Sequence, residues 1–160
     1  MVQASAHTLT IPADVLRRGF WLYVWKVVLR DGQDVHYVGR TGDSSSANAQ
    51  SPFSRVSGHL GPNKRANALR RHLAKHDINF DACASLELTT YGPVFEEASN
   101  ERDHQSRRDK THALERDLSE AMRAAGYTVL NTVPCRKPHD PDAWEKVRLA
   151  LIKKFPKLRA

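Results

Sequence analysis

Six residues could act together in chemistry: Tyr23, Tyr37, Arg55, His59, Glu115 and Asn131. Arg55 offers a planar guanidinium that suits phosphate, and His59 an imidazole that handles protons near neutral pH. They stand four positions apart, so on a helix both project from one face. Tyr23 and Tyr37 lie in two apolar segments, Trp21-Leu22-Tyr23 and Tyr37-Val38-Gly39, with an Asp31-Gly32 turn between them. Tyrosines in a hairpin are ordinarily packing residues. A chemical role therefore depends on what faces them.

The elements must place these groups. The run from Phe20 to Leu29 is aromatic and β-branched, which predicts a central strand covered on both faces. Val35 to Gly39 is the returning strand. Loop parity decides whether the tyrosines share a face. A two-residue Asp31-Gly32 loop pairs Arg30 with Gln33 and puts them on opposite faces. A three-residue loop, Arg30-Asp31-Gly32, pairs Leu29 with Gln33. Tyr23 then lies opposite Gly39, and Tyr37 opposite Trp25. A shared face therefore predicts a left-handed Gly32 in a bulged turn.

Thr41 to Ser51 is a polar loop beside these strands. Ser51 and Pro52 predict a helix start, and the helix should reach about Leu60 before Gly61-Pro62. Asn63 to His76 predicts a second helix, with Ala66, Leu69 and Leu73 as its apolar stripe. Its other faces carry Lys64, Arg65, Arg70, Arg71, His72, Lys75 and His76, a density of charge that calls for an anionic partner. Ala82 to Thr90 is a third strand, expected to end at Tyr91-Gly92-Pro93. A long helical region should follow, from about Phe95 to Ala125. Its charged half, Glu96 to Lys110, is expected to fray or loop. Its second half has a stripe of Ala113, Leu114, Leu118, Ala121, Met122 and Ala125, and Gly126 closes it. After a linker with Pro134 and Pro138, Asp140 and Pro141 start a last helix. Trp144, Val147, Leu151 and Phe155 form its packing stripe.

Composition bounds the function. Lys and Arg exceed Asp and Glu by a net charge of +7, with a pI near 9.7. That balance favours a polyanionic partner. Cys83 and Cys135 are isolated and form no CxxC, so neither a zinc site nor a disulfide framework is indicated. No segment approaches a membrane span, and the cytoplasm is the expected compartment.

Taken in order, Tyr, Tyr-x-Gly, Arg-x-x-x-His, Glu and Asn resemble the signature of the GIY-YIG nuclease family from Phe20 to Thr132. Trp21 and Leu22 replace the first glycine and isoleucine of the family's first motif. The resemblance implies an α/β fold, with a small, mainly antiparallel three-stranded central sheet flanked by helices. It divides the chain into an N-terminal extension (1–19), a nuclease-like domain (20–132) and a linker with a packed C-terminal helix (133–160). It implies a metal-dependent endonuclease acting on DNA, with RNA open as a substrate. Glu115 would hold Mg²⁺ or Mn²⁺, and Arg55 would grip the scissile phosphate. Tyr23 would act as general base, its phenolate favoured by Arg55, Arg40 and the metal. His59 would relay the proton, Tyr37 would orient water or phosphate, and Asn131 would position the site. Arg40, Lys64, Arg65, Arg70, Arg71 and Lys75 would contact nucleic acid. The alternative is a nucleic-acid-binding protein of the same fold that does not hydrolyse.

Overall fold

The computed structural model describes residues 3–44, 48–63 and 67–159. Three antiparallel strands form one sheet in the order β2-β1-β3: β1 is Phe20–Leu29, β2 is Asp34–Arg40 and β3 is Cys83–Phe95. The central place of β1 follows from its sequence, because Phe20 to Trp25 are all buried and only a central strand covers both faces.

Each face has its own core. Leu22, Val24 and Val38 pack against Leu114, Leu118 and Met122 of α3 (Glu101–Ala124) and Val147 and Leu151 of α4 (Pro141–Leu151). Tyr23, Trp25, Val27 and Val35 pack on the other face against Val56 of α1 (Pro52–Ser57) and Leu69 and Leu73 of α2 (Ala68–Lys75). Each large apolar side chain so buried contributes about 1.5–3 kcal/mol. No helix among the described residues is long and apolar enough to cross a membrane.

Several boundaries differ from expectation. α1 stops at Ser57 rather than near Leu60, because Gly58 propagates a helix poorly and His59 turns inward. α2 begins at Ala68, not Asn63, since Asn67 is extended and accepts a hydrogen bond from the Arg70 N–H as its cap. Lys64, Arg65 and Ala66 lie outside the described residues. β3 does not end at Tyr91-Gly92-Pro93 but continues to Phe95. Phe20 pairs with Phe95 and Leu22 with Tyr91, so a bulge on an outer strand absorbs Pro93 and its missing N–H.

The charged half of the long helix is regular from Glu101 onward, not frayed. Asn100 caps it by accepting from the Asp103 N–H, His104 and Thr111 are buried along it, and the His104 ring packs on Phe20. At the far end of the chain Asp140 caps α4, and Phe155 is buried just beyond the helix.

Residues 128–131 run beside the outer edge of β2. The His36 N–H donates to the Thr128 carbonyl, and the Leu130 N–H to the His36 carbonyl. Asn131 then takes over from the backbone: its Oδ1 accepts from the Val38 N–H at 3.0 Å, and its Nδ2 donates to the Val38 carbonyl at 2.8 Å. Its amide thus continues the ladder with a side chain.

Candidate active site

The hairpin adopts the three-residue turn. Leu29 donates to the Gln33 carbonyl, Gly32 has φ +88°, Tyr23 lies opposite Gly39, and Tyr37 lies opposite Trp25. Both tyrosine rings therefore share one face. Gly39 serves by its missing side chain: a Cβ there would come within 2.4 Å of the Tyr23 ring and 2.5 Å of its hydroxyl. Tyr23 crosses β2 through that gap.

α1 and the turn after it complete this face. His59 stacks edge-on against Tyr23 and Tyr37, with ring centroids 5.8 Å from each. The Trp25 indole N–H donates to His59 Nδ1 at 3.3 Å. An indole can only donate, so the neutral ring carries its proton on Nε2. Burial, helped by the Arg55 charge, pushes the His59 pKa down to about 4. His59 is thus a neutral hydrogen-bond donor at physiological pH, which recasts the expected proton relay.

Arg55 lies between the Tyr23 hydroxyl and the carboxylate of Asp43, with which it forms an ion pair. Burial opposes the Arg55 charge, but Asp43 and the tyrosines outweigh it and raise its pKa.

The phenols do not behave as their cationic surroundings suggest. Burial drives the Tyr23 pKa far above its ordinary value, with Tyr37 and Glu115 adding to the shift and Arg55 opposing it. Tyr23 is 2% exposed, so loss of solvent outweighs one neighbouring guanidinium. Burial and Glu115 push Tyr37 up to about 12. Without a metal both are neutral phenols; the expected Tyr23 phenolate also drew on the charge of a metal, which Arg55 alone does not replace.

Glu115 reaches the same place from α3. Arg40 donates through Nε to Glu115 Oε2 at 2.8 Å, with the two side chains 12% and 13% exposed. Arg40 therefore faces inward and pairs with a carboxylate, so the nucleic-acid contact expected of it would fall to its remaining guanidinium nitrogens. Burial pushes Glu115 up to about 7 despite that arginine. Of three guanidinium atoms that are buried with no hydrogen-bond partner among the described residues, two, Arg40 Nη1 and Arg55 Nε, lie here, and the third, Arg70 Nε, lies away from the site. Orphaned donors of this kind suit an anion with several acceptor oxygens. A carboxylate half-protonated near neutrality likewise has room for more positive charge. Among the described residues no cluster of three or more His, Cys, Asp or Glu could hold a metal. A Mg²⁺-type cation with one carboxylate, waters and substrate oxygens is nonetheless an ordinary arrangement.

Tyr23, Tyr37, Arg55, His59 and Glu115 thus converge, whereas Asn131 is buried against the β2 backbone. Arg71 and Lys75 are exposed on α2, and the Arg71 charge is felt at Tyr37. Arg70 is engaged within the fold: its guanidinium stacks 3.8 Å over Phe80 and donates to the Leu60 carbonyl. Lys64 and Arg65 lie outside the described residues.

Asp43, Trp25 and His72 were not assigned to this site from the sequence, where Trp25 entered only as the residue opposite Tyr37 and His72 only among the basic residues of the second helix. Trp25 could have been, since it is two residues from Tyr23 on the same strand face. His72, 5.4 Å from the Tyr37 ring, is one more charge-capable residue on a basic helix, and Asp43 sits in a polar loop. Neither carries a local signal. Comparison with known proteins finds no matching family model, no matching curated protein and no matching solved structure.

Proposed function

We propose that this protein is a metal-dependent endonuclease of the GIY-YIG type that hydrolyses phosphodiester bonds in DNA. One observation carries the reading: five reactive side chains from both hairpin strands, α1 and its following turn, and α3 meet around two buried guanidinium donors that lack acceptors. A scissile phosphate would satisfy both donors. Glu115 would hold Mg²⁺ or Mn²⁺, which when bound would polarise the phosphate and stabilise the leaving oxygen.

The chain's own groups do the rest. Arg55 steadies a non-bridging oxygen while charge builds on it. Tyr23, next to Arg55, orients the attacking water and, once its phenol has released its own proton to solvent, takes the proton of that water. Burial, Tyr37 and Glu115 oppose that step and Arg55 favours it, so Tyr23 ionises only when more positive charge enters the site. Tyr37 remains a phenol and donates to water or phosphate. His59 donates through Nε2. The water oxygen bonds to phosphorus as the bond to the leaving oxygen breaks, and the leaving oxyanion takes a proton from solvent.

The second reading is a nucleic-acid-binding protein that does not hydrolyse. The Arg40–Glu115 contact favours it, because it already gives the carboxylate a partner. Nicking of supercoiled plasmid with Mg²⁺ separates the two. Under the nuclease reading the wild type nicks, and Glu115→Gln and Tyr23→Phe each lose about 10²-fold or more in rate. Wild-type protein that binds DNA and leaves it intact would turn the conclusion to the second reading.

A further inference from the structure

A second space adjoins the tyrosine site. It is an open cleft of about 460 Å³ whose walls include Arg18, Asp43, Asn48, Gln50, Ser54 and Arg55. Its size falls in the range of about 300–1,000 Å³ found for small-ligand sites. No large apolar side chain lines it, so its occupant must be polar. Arg55 belongs to both spaces, so a ligand in the cleft adjoins whatever anion Arg55 holds.

The cleft walls are fastened. Glu97 Oε2 accepts from the Ala49 N–H at 3.0 Å and from Arg18 Nε at 2.8 Å. His104 Nε2 donates to the Ser44 carbonyl at 2.9 Å. Ser51 caps α1 by accepting from the Ser54 N–H. Asn48 and Gln50 are exposed on either side of the buried, clamped Ala49. Both residues line the cleft and flank a backbone position that Glu97 holds.

We infer that this cleft binds the nucleotide next to the scissile phosphate, and that Asn48 and Gln50 recognise the edge of its base. The inference rests on the proposed phosphodiester site and adds where a sequence preference would arise. Side-chain amides pair best with adenine, which offers a donor and an acceptor side by side. Arg18 and the serine hydroxyls suit sugar and phosphate oxygens.

The test uses the full chain without metal, titrated with the 5′-phosphorylated dinucleotide of deoxyadenosine and followed by amide NMR. The side-chain amide signals of Asn48 and Gln50 should shift on binding. Gln50→Ala should weaken binding about tenfold and remove the preference over the deoxycytidine dinucleotide. Both residues are exposed, so the variants should stay folded. Shifts confined to the Tyr37 and Arg71 side, or equal affinity in the variant, would overturn the inference. Sequencing of ends cut from random DNA gives a second readout: a base bias beside the cut in the wild type that Asn48→Ala and Gln50→Ala flatten. An unaltered bias would count against the cleft. If nothing is cut, the nuclease proposal fails, and the titration still decides whether the cleft binds a nucleotide.

Discussion

At the level of single residues the site is defined by charges that burial makes uncomfortable. Glu115 binds its proton more tightly in the fold than in the unfolded chain, with a pKa of about 7 against an ordinary 4.5. The metal-free protein therefore loses stability as pH rises from 4.5 through 7, by about 3 kcal/mol from this group. His59 acts in the opposite sense: its pKa of about 4 means that its contribution is present above pH 6.5 and is lost on acidification. The wild-type profile mixes the two, so the useful quantity is a difference. In urea denaturation without metal, Glu115→Gln should gain on the wild type by about 3 kcal/mol between pH 4.5 and 8. Millimolar Mg²⁺ should shrink that gap by stabilising the wild type alone. A gap independent of pH would show that Glu115 ionises without penalty. Asp43 carries a related prediction. It occupies the guanidinium that a phosphate would need, through a pair about one-third exposed on both sides. Asp43→Asn should tighten metal-free binding of a short oligonucleotide by about twofold to fivefold, the scale of a partly exposed ion pair. Weaker binding would mean that the carboxylate supports the site and does not compete with substrate.

At the level of elements, the hairpin holds the site together, and it was largely legible in the sequence. Strand periodicity, the position of Gly32 and the demand for a shared face led to the observed register. Gly39 shows what periodicity could not supply. Its φ needs no glycine, and the requirement comes from the Tyr23 ring lying where a Cβ would be. Gly39→Ala should therefore cost about 1–3 kcal/mol of stability through overpacking. It should also slow nicking by about 10²-fold, because a displaced Tyr23 loses its alignment. A variant that is destabilised yet nicks at full rate would remove Tyr23 from the chemistry. The less legible features share one cause. Asn131 was expected to position the site from its order in the chain, but the means are visible only in the fold: its amide holds Val38, next to Tyr37 and 93 positions away. The charged start of α3 looked loose, yet Phe20 and the caps around it make it helical. The neutral phenols depend on how deeply the fold buries them. Each is set by a contact distant in sequence, which local pattern does not encode.

Across the whole molecule, the two faces of the sheet are covered by separate layers, and the site draws on both. Tyr23, Tyr37, Arg55 and His59 belong to the α1–α2 side, whereas Arg40 and Glu115 belong to the α3 side. An anion held by Arg55 and Arg40 together would tie one layer to the other. The α2 face, with Arg71 and Lys75 exposed, borders that site, while the chain beyond α4 lies behind the opposite face of the sheet. Net charge alone, at +7, would attract a polyanion to any side. Salt dependence can locate the contact. The logarithm of DNA affinity should fall with the logarithm of salt concentration by about 0.9 for each phosphate engaged. Lys75→Ala should reduce that slope by about one, with little change in relative affinity among sequences. Lys153→Ala, beyond α4, removes the same charge and should leave the slope as it was. Equal reductions from both variants would mean that DNA finds no preferred face, and the path from α2 into the tyrosine site would lose its support. A slope near zero in the wild type would remove the polyanionic partner altogether, because no phosphate contact forms without releasing counterions.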